Sequence, residues 1–118
     1  MTVEIESLDR ALARSGQTVT LRRLTNTDLA GIPAMVRGYS PDELVDGITQ
    51  QDSFVIISPT QINAAGWPGT QVPGQPDIRI PRHNRGDLCI INGQTRAVQA
   101  GVGIYVRDVL ARIEFRVR

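Results

Sequence analysis

A chain of 118 residues, 41% of them hydrophobic, fits one domain of ordinary size and excludes a disordered or low-complexity protein. Thirteen basic residues against twelve acidic ones leave a formal net charge of +1, which excludes a strongly basic nucleic-acid binder. Aromatics make up only 4%, so the core must rest on Val, Ile, Leu and Ala. Every basic residue is arginine, a usage that fits either a GC-rich genome or selection at interfaces, where bidentate, weakly hydrated contacts are favoured. The single cysteine, Cys89, can form no disulfide within the chain, so nothing demands an oxidising compartment. No apolar stretch approaches transmembrane length, and Glu4, Glu6 and Asp9 stand where a leader would be basic and apolar. The expectation is a soluble, cytoplasmic protein that binds no membrane.

In chain order, residues 2–15 read as an amphipathic helix, with Ile5, Leu8 and Leu12 on one stripe and Gly16 as its stop. Gln17 to Thr25 alternates Val19 and Leu21 with Thr18, Thr20 and Arg22 and predicts a strand. Asn26–Asp28 reads as a turn, and Ala34–Tyr39 as a second short strand weakened by Gly38. Ser40-Pro41-Asp42-Glu43 carries a capping residue, a proline at the first helical position and an acidic partner, the signature of a helix start. Phe54–Ile57 is a fully apolar β-type run and predicts a buried strand. Thr60–Ala65 predicts a helical turn closed by Gly66.

Residues 66–86 hold four prolines and four glycines with little periodicity, which predicts a long loop ordered mainly by partners. Asn92-Gly93 between Leu88–Ile91 and Gln94–Gln99 predicts a tight hairpin, and Ala100-Gly101-Val102-Gly103 a flexible joint. Val109–Arg118 alternates, with Val109, Ala111, Ile113, Phe115 and Val117 expected inward and Leu110, Arg112, Glu114, Arg116 and Arg118 outward. The whole is expected to be one mainly β domain, 1–118, a small β-barrel or sandwich. Its parts are an N-terminal helical unit (1–16), a long Pro/Gly-rich loop (66–86), and a C-terminal hairpin with a closing strand (87–118).

No catalytic constellation stands out. His83, the only histidine, has no partner at metal-ligand spacing, and Cys89 sits in an apolar strand, where a thiol is inert. Asp42 with Glu43, and Asp46 with Asp52, read as surface carboxylates rather than an acid–base pair. No enzyme, no metal and no cofactor is expected. Candidate partner or channel contacts are Trp67, alone between loop breakers, then Arg79, Arg82, His83 and Arg85 in the same loop, and Arg116 and Arg118 on the last strand. Trp67 is either a cover for one end of the core or an anchor for a partner.

The strand Gln17-Thr18-Val19-Thr20-Leu21-Arg22-Arg23 comes first, then a long middle, then Gly86-Asp87-Leu88-Cys89-Ile90-Ile91-Asn92-Gly93 and the closing Ile113-Glu114-Phe115-Arg116-Val117-Arg118. This order resembles the small head-closure, or head–tail joining, proteins of tailed bacteriophages. Asp87, Ile90, Gly93 and Val98 stand where that family opens its C-terminal hairpin. About half the chain is covered, mainly 17–24 and 86–118. The resemblance implies a virion component, assembled in the host cytoplasm, that forms a homo-oligomeric ring in the neck. Portal or adaptor and tail proteins would be its partners, with packaged DNA in the ring lumen. The alternatives are a tail terminator or other tail-like assembly part, and a small β-barrel that binds nucleic acid or peptide.

Overall fold

The first helix, α1 (Val3–Ser15), has Glu4 and Glu6 in its first turn and Arg14 in its last, the order that complements a helix dipole. It stops at Gly16, whose φ of 69° is the left-handed conformation that glycine adopts without penalty. A computed structural model describes residues 3–23, 28–39, 51–69, 71 and 73–118, apart from the side chain of Asn84. The expected turn at 26–28, except for Asp28, and the expected helix start at 40–43 lie outside the described residues.

Six strands follow: β1 (Gln17–Arg22), β2 (Leu29–Gly38), β3 (Ser53–Ile57), β4 (Leu88–Ile91), β5 (Gln94–Val106) and β6 (Val109–Val117). A short helix α2 (Thr60–Ala65) and a 3-10 turn (His83–Arg85) lie between β3 and β4. The strands close into a barrel in the order β1-β2-β3-β6-β5-β4, all antiparallel. Closure falls to the pairing of β1 with β4, Thr20 opposite Ile90 and Arg22 opposite Leu88. Of the two forms open to a mainly β chain, barrel or sandwich, the molecule is thus the barrel, and only the barrel removes both sheet edges. Alternation sends Val19 and Leu21 of β1, Ile32 and Ala34 of β2, Val55 and Ile57 of β3, and Ile113, Phe115 and Val117 of β6 into one buried cluster. Helix α1 packs against β2 and β6, the strands that flank β3 in the barrel. Its own buried residues are Ile5 and Leu12.

Three departures from the sequence reading have physical causes. Strand β2 starts at Leu29 rather than Ala34, because Gly31, at φ 72°, absorbs a register shift opposite β1 between Val19 and Leu21. Residues 100–103 are no flexible joint: β5 runs straight through them to Val106, and the glycines are there for a close approach described below. The inward set of β6 is also corrected, since Val109 is 45% exposed and Leu110 only 2%. Pairing with β5 slips by one residue between Ile104 and Tyr105, which leaves Ala111 unmatched and resets the alternation. From Ile113 to Val117 the expected faces hold.

The Asn92-Gly93 hairpin forms as read, with φ of 51° at Asn92 and 77° at Gly93, both positive as a type I′ turn requires. Gly93→Val places a β-branched residue in that region and should cost about 1–2 kcal/mol or more, read as a lower urea midpoint.

Candidate functional site at one end of the barrel

Strand register gathers the end of β1, the end of β3, the starts of β4 and β6 and the far part of β5 at the same end of the barrel. Arg23 follows β1 directly and Asp87 precedes β4, so the pairing of Arg22 with Leu88 brings them face to face. The Arg23 guanidinium donates from Nε to Asp87 Oδ1 (2.7 Å) and from Nη2 to Oδ2 (2.8 Å). Its Nη1 donates to the Ile78 carbonyl at 2.7 Å. The backbone N–H of Arg82 is a third donor to Asp87, 2.8 Å from Oδ2. The Asp87 side chain is 1% exposed and that of Arg23 10%. Trp67 closes over this pair, its ring centroid 5.1 Å from the Arg23 guanidinium carbon, close enough for a cation–π contact.

The chain makes several contacts of its own along the described part of 66–86. Gly66 ends α2 at φ 65°, and Trp67 turns back so that its N–H donates to the Ile62 carbonyl at 3.1 Å. Ile80 and Pro81 are buried against β5 at Gly101 and Gly103. A Cβ on Gly101 would run into the Pro81 carbonyl oxygen, and one on Gly103 into the Ile80 side chain. One residue pair further along β5, the Tyr105 hydroxyl donates to Asp77 Oδ2 at 2.8 Å. Asp77 also accepts from Arg79, whose backbone N–H and Nε lie 3.0 Å from Oδ1 and whose Nη2 lies 2.7 Å from Oδ2. Arg79 reaches α2 as well, with Nη1 donating to Asn63 Oδ1 at 2.9 Å.

The expected contact residues divide into two groups. Trp67, Arg79, Arg82, His83 and Arg85 all belong to this end of the barrel. Trp67 is 7% exposed and part of the core cluster, so it covers the end of the core. Arg79 is engaged with Asp77 and Asn63. His83 is exposed, its Nδ1 3.3 Å from the Val98 carbonyl oxygen. Arg116 and Arg118 lie elsewhere, at the far end of β6, around the fully buried carboxylate of Asp52. Arg118 Nε is 2.8 Å from Asp52 Oδ1, and Arg116 Nε is 3.6 Å from Oδ2. Sequence reasoning gave Arg23 and Tyr105 no site role, and its reading of Asp52 as a surface carboxylate is corrected: the side chain is fully buried, where two arginines offset its charge. Arg23 lies 64 positions before Asp87, and no local pattern joins residues so far apart.

Among the described residues no group of histidine, cysteine and carboxylate side chains is placed to hold a metal. Burial pushes the Cys89 thiol up to about 12, out of reach of a nucleophilic role. A groove of about 460 Å³ opens between α2 and the loop, floored by Ile62 and Trp67 and rimmed by Asn63, Asp77 and Arg79. No helix among the described residues is long and apolar enough to cross a membrane. No protein-family model matches the chain, and neither a curated protein nor a solved structure matches it significantly.

Two outcomes test this arrangement. Gly101→Ala should lift Pro81 off β5, lower stability by roughly 1–3 kcal/mol and speed hydrogen exchange at the Arg82 amide. The Arg79 guanidinium holds the Asp77 carboxyl down, from 3.8 to about 2, against burial and with help from the Arg79 N–H and the Tyr105 hydroxyl. A carboxyl depressed in the folded state contributes stability fully above its unfolded value and loses it as pH falls through the folded one. The stability gap between the parent and Asp77→Asn should therefore be full above about pH 4 and close towards pH 2, in urea melts across that window.

Proposed function

We propose that the chain is a structural virion component of a tailed phage, a small barrel that forms a homo-oligomeric ring in the neck, joins the portal-capped head to the tail and helps close the DNA channel. The observation that carries this reading is the β5–β6 arm. Val98 still bonds the Asp87 carbonyl through its N–H, and beyond it β5 has only β6 as a strand partner. Its outward face carries Val102, 54% exposed, and Ile104, 40% exposed, with Val109 of β6 beside them at 45%. Apolar side chains next to an unpaired strand edge, on a barrel whose interior is already closed, are a natural place to add a neighbouring subunit. The order of the N-terminal strand, the hairpin and the closing strand, which resembles the head-closure proteins, supports the same reading, as does the barrel that this resemblance implies.

Electron microscopy and peptide mass spectrometry of purified phage particles test it. The expected result is the chain present in the particle, as a ring between portal and tail. Ile104→Asp should leave the melting midpoint of the isolated chain within about half a kcal/mol of the parent, because the side chain faces solvent, yet leave heads without tails. Particles that lack the chain would overturn the reading.

A further inference from the structure

The end of the barrel carries a charge imbalance that the fold does not resolve. Four guanidinium groups, Arg23, Arg79, Arg82 and Arg85, face two carboxylates, Asp77 and Asp87. Both carboxylates are already engaged. Asp87 accepts both Arg23 nitrogens and the Arg82 N–H, and Asp77 accepts Arg79 and Tyr105. The Arg82 guanidinium makes no hydrogen bond or ion pair among the described residues, and its Nε is buried without an acceptor. Arg85 has one long contact, from Nη2 to the Pro76 carbonyl at 3.4 Å, while its Nη1 is also buried without an acceptor. The two residues sit one 3-10 turn apart, the Arg85 N–H bonded to the Arg82 carbonyl at 3.3 Å. Burial and the neighbouring charges of Arg23 and Arg82 lower the proton affinity of Arg85 below its ordinary value. Tyr105, which bonds Asp77, also lies within the field of Arg82.

Guanidinium donors left unpaired beside like charges are a poor arrangement for an empty surface and a good one for an oxyanion, because a planar fork of N–H groups matches two oxygens of a phosphate. We propose that Arg82 and Arg85, at the 3-10 turn beside the Arg23–Asp87 pair, form a binding site for an oxyanion of the phosphate class. Such a ligand brings the acceptors and the negative charge that the site lacks. The site goes beyond the ring reading and does not depend on it, since every residue involved belongs to one copy of the chain.

Inorganic phosphate is the probe, titrated into the full chain at constant ionic strength with chloride as the balancing salt. Phosphate should raise the melting midpoint and shift the amide resonances of residues 82–86, while chloride should do neither. Arg82→Gln, which removes a side chain with no intramolecular partner, should fold as the parent and bind phosphate about tenfold or more weakly, the loss expected for one charged donor. Arg85→Gln should do the same, and Arg14→Gln, on the exposed end of α1, should bind as the parent. Addition of a short DNA duplex separates the sources of the phosphate group. Displacement of bound phosphate identifies a phosphodiester ligand, and undisturbed phosphate identifies the free ion; both outcomes support the site. A chloride response equal to that of phosphate, or parental binding by both Arg82→Gln and Arg85→Gln, would overturn it.

Discussion

Asp87 is a carboxylate with 1% of its side chain exposed, at the point where a loop rich in proline and glycine re-enters the barrel. Its burial is tolerable because Arg23 meets both of its oxygens and the Arg82 N–H meets one of them again. Removal of one partner of such a pair leaves an uncompensated buried charge, at a cost of about 3–5 kcal/mol. Replacement of both by apolar groups is often neutral, so what the pair contributes is position more than net stability. Arg23 follows β1, Asp87 opens β4, and the strand pairing that closes the barrel lies directly beside them. The same guanidinium reaches the Ile78 carbonyl and lies under Trp67. One ion pair thereby fixes the closing register, the course of the loop and the cover of the core at that end.

The loop is held a second time by what β5 leaves out. Gly101 and Gly103 have no side chains on the face where Ile80 and Pro81 pack, and their absence makes the channel that the loop occupies. Tyr105 continues the same face and ties down Asp77. The loop is thus built against glycine, then against tyrosine, along a strand that has left its β4 partner. A β5 arm with one strand neighbour gains a second packing partner in this way, while its outward face stays apolar and exposed.

Net charge hides this end of the molecule. A chain with thirteen basic and twelve acidic residues is close to neutral, yet folding places Arg23, Arg79, Arg82 and Arg85 around only two carboxylates. Composition sets the sum of the charges and leaves their distribution to the fold. At the far end arginines likewise outnumber the carboxylate they surround, with Arg116 and Arg118 around the buried Asp52.

Local pattern alone determined much of the framework. The stripe of Ile5 and Leu12, the Gly16 and Gly66 stops, the apolar run of β3, the Asn92-Gly93 turn and the inward faces of Ile113, Phe115 and Val117 all depend on neighbours within a few residues, where helix period, strand period and turn conformation are set. Tertiary structure decided the rest. Bulges at Gly31 and Ala111 moved the start of β2 and the inward set of β6, because a bulge answers to the partner strand rather than to its own sequence. The two glycines of β5 looked like a hinge and are an imprint of Ile80 and Pro81, some twenty residues earlier. Trp67, which the sequence left open between core and interface, was claimed by the core because Arg23 offered its guanidinium to the ring. Arg82 and Arg85 could be seen as charged loop residues, but that neither has a carboxylate partner follows only from Arg23 and Arg79 having taken the nearby carboxylates, a competition that exists only once the chain is folded.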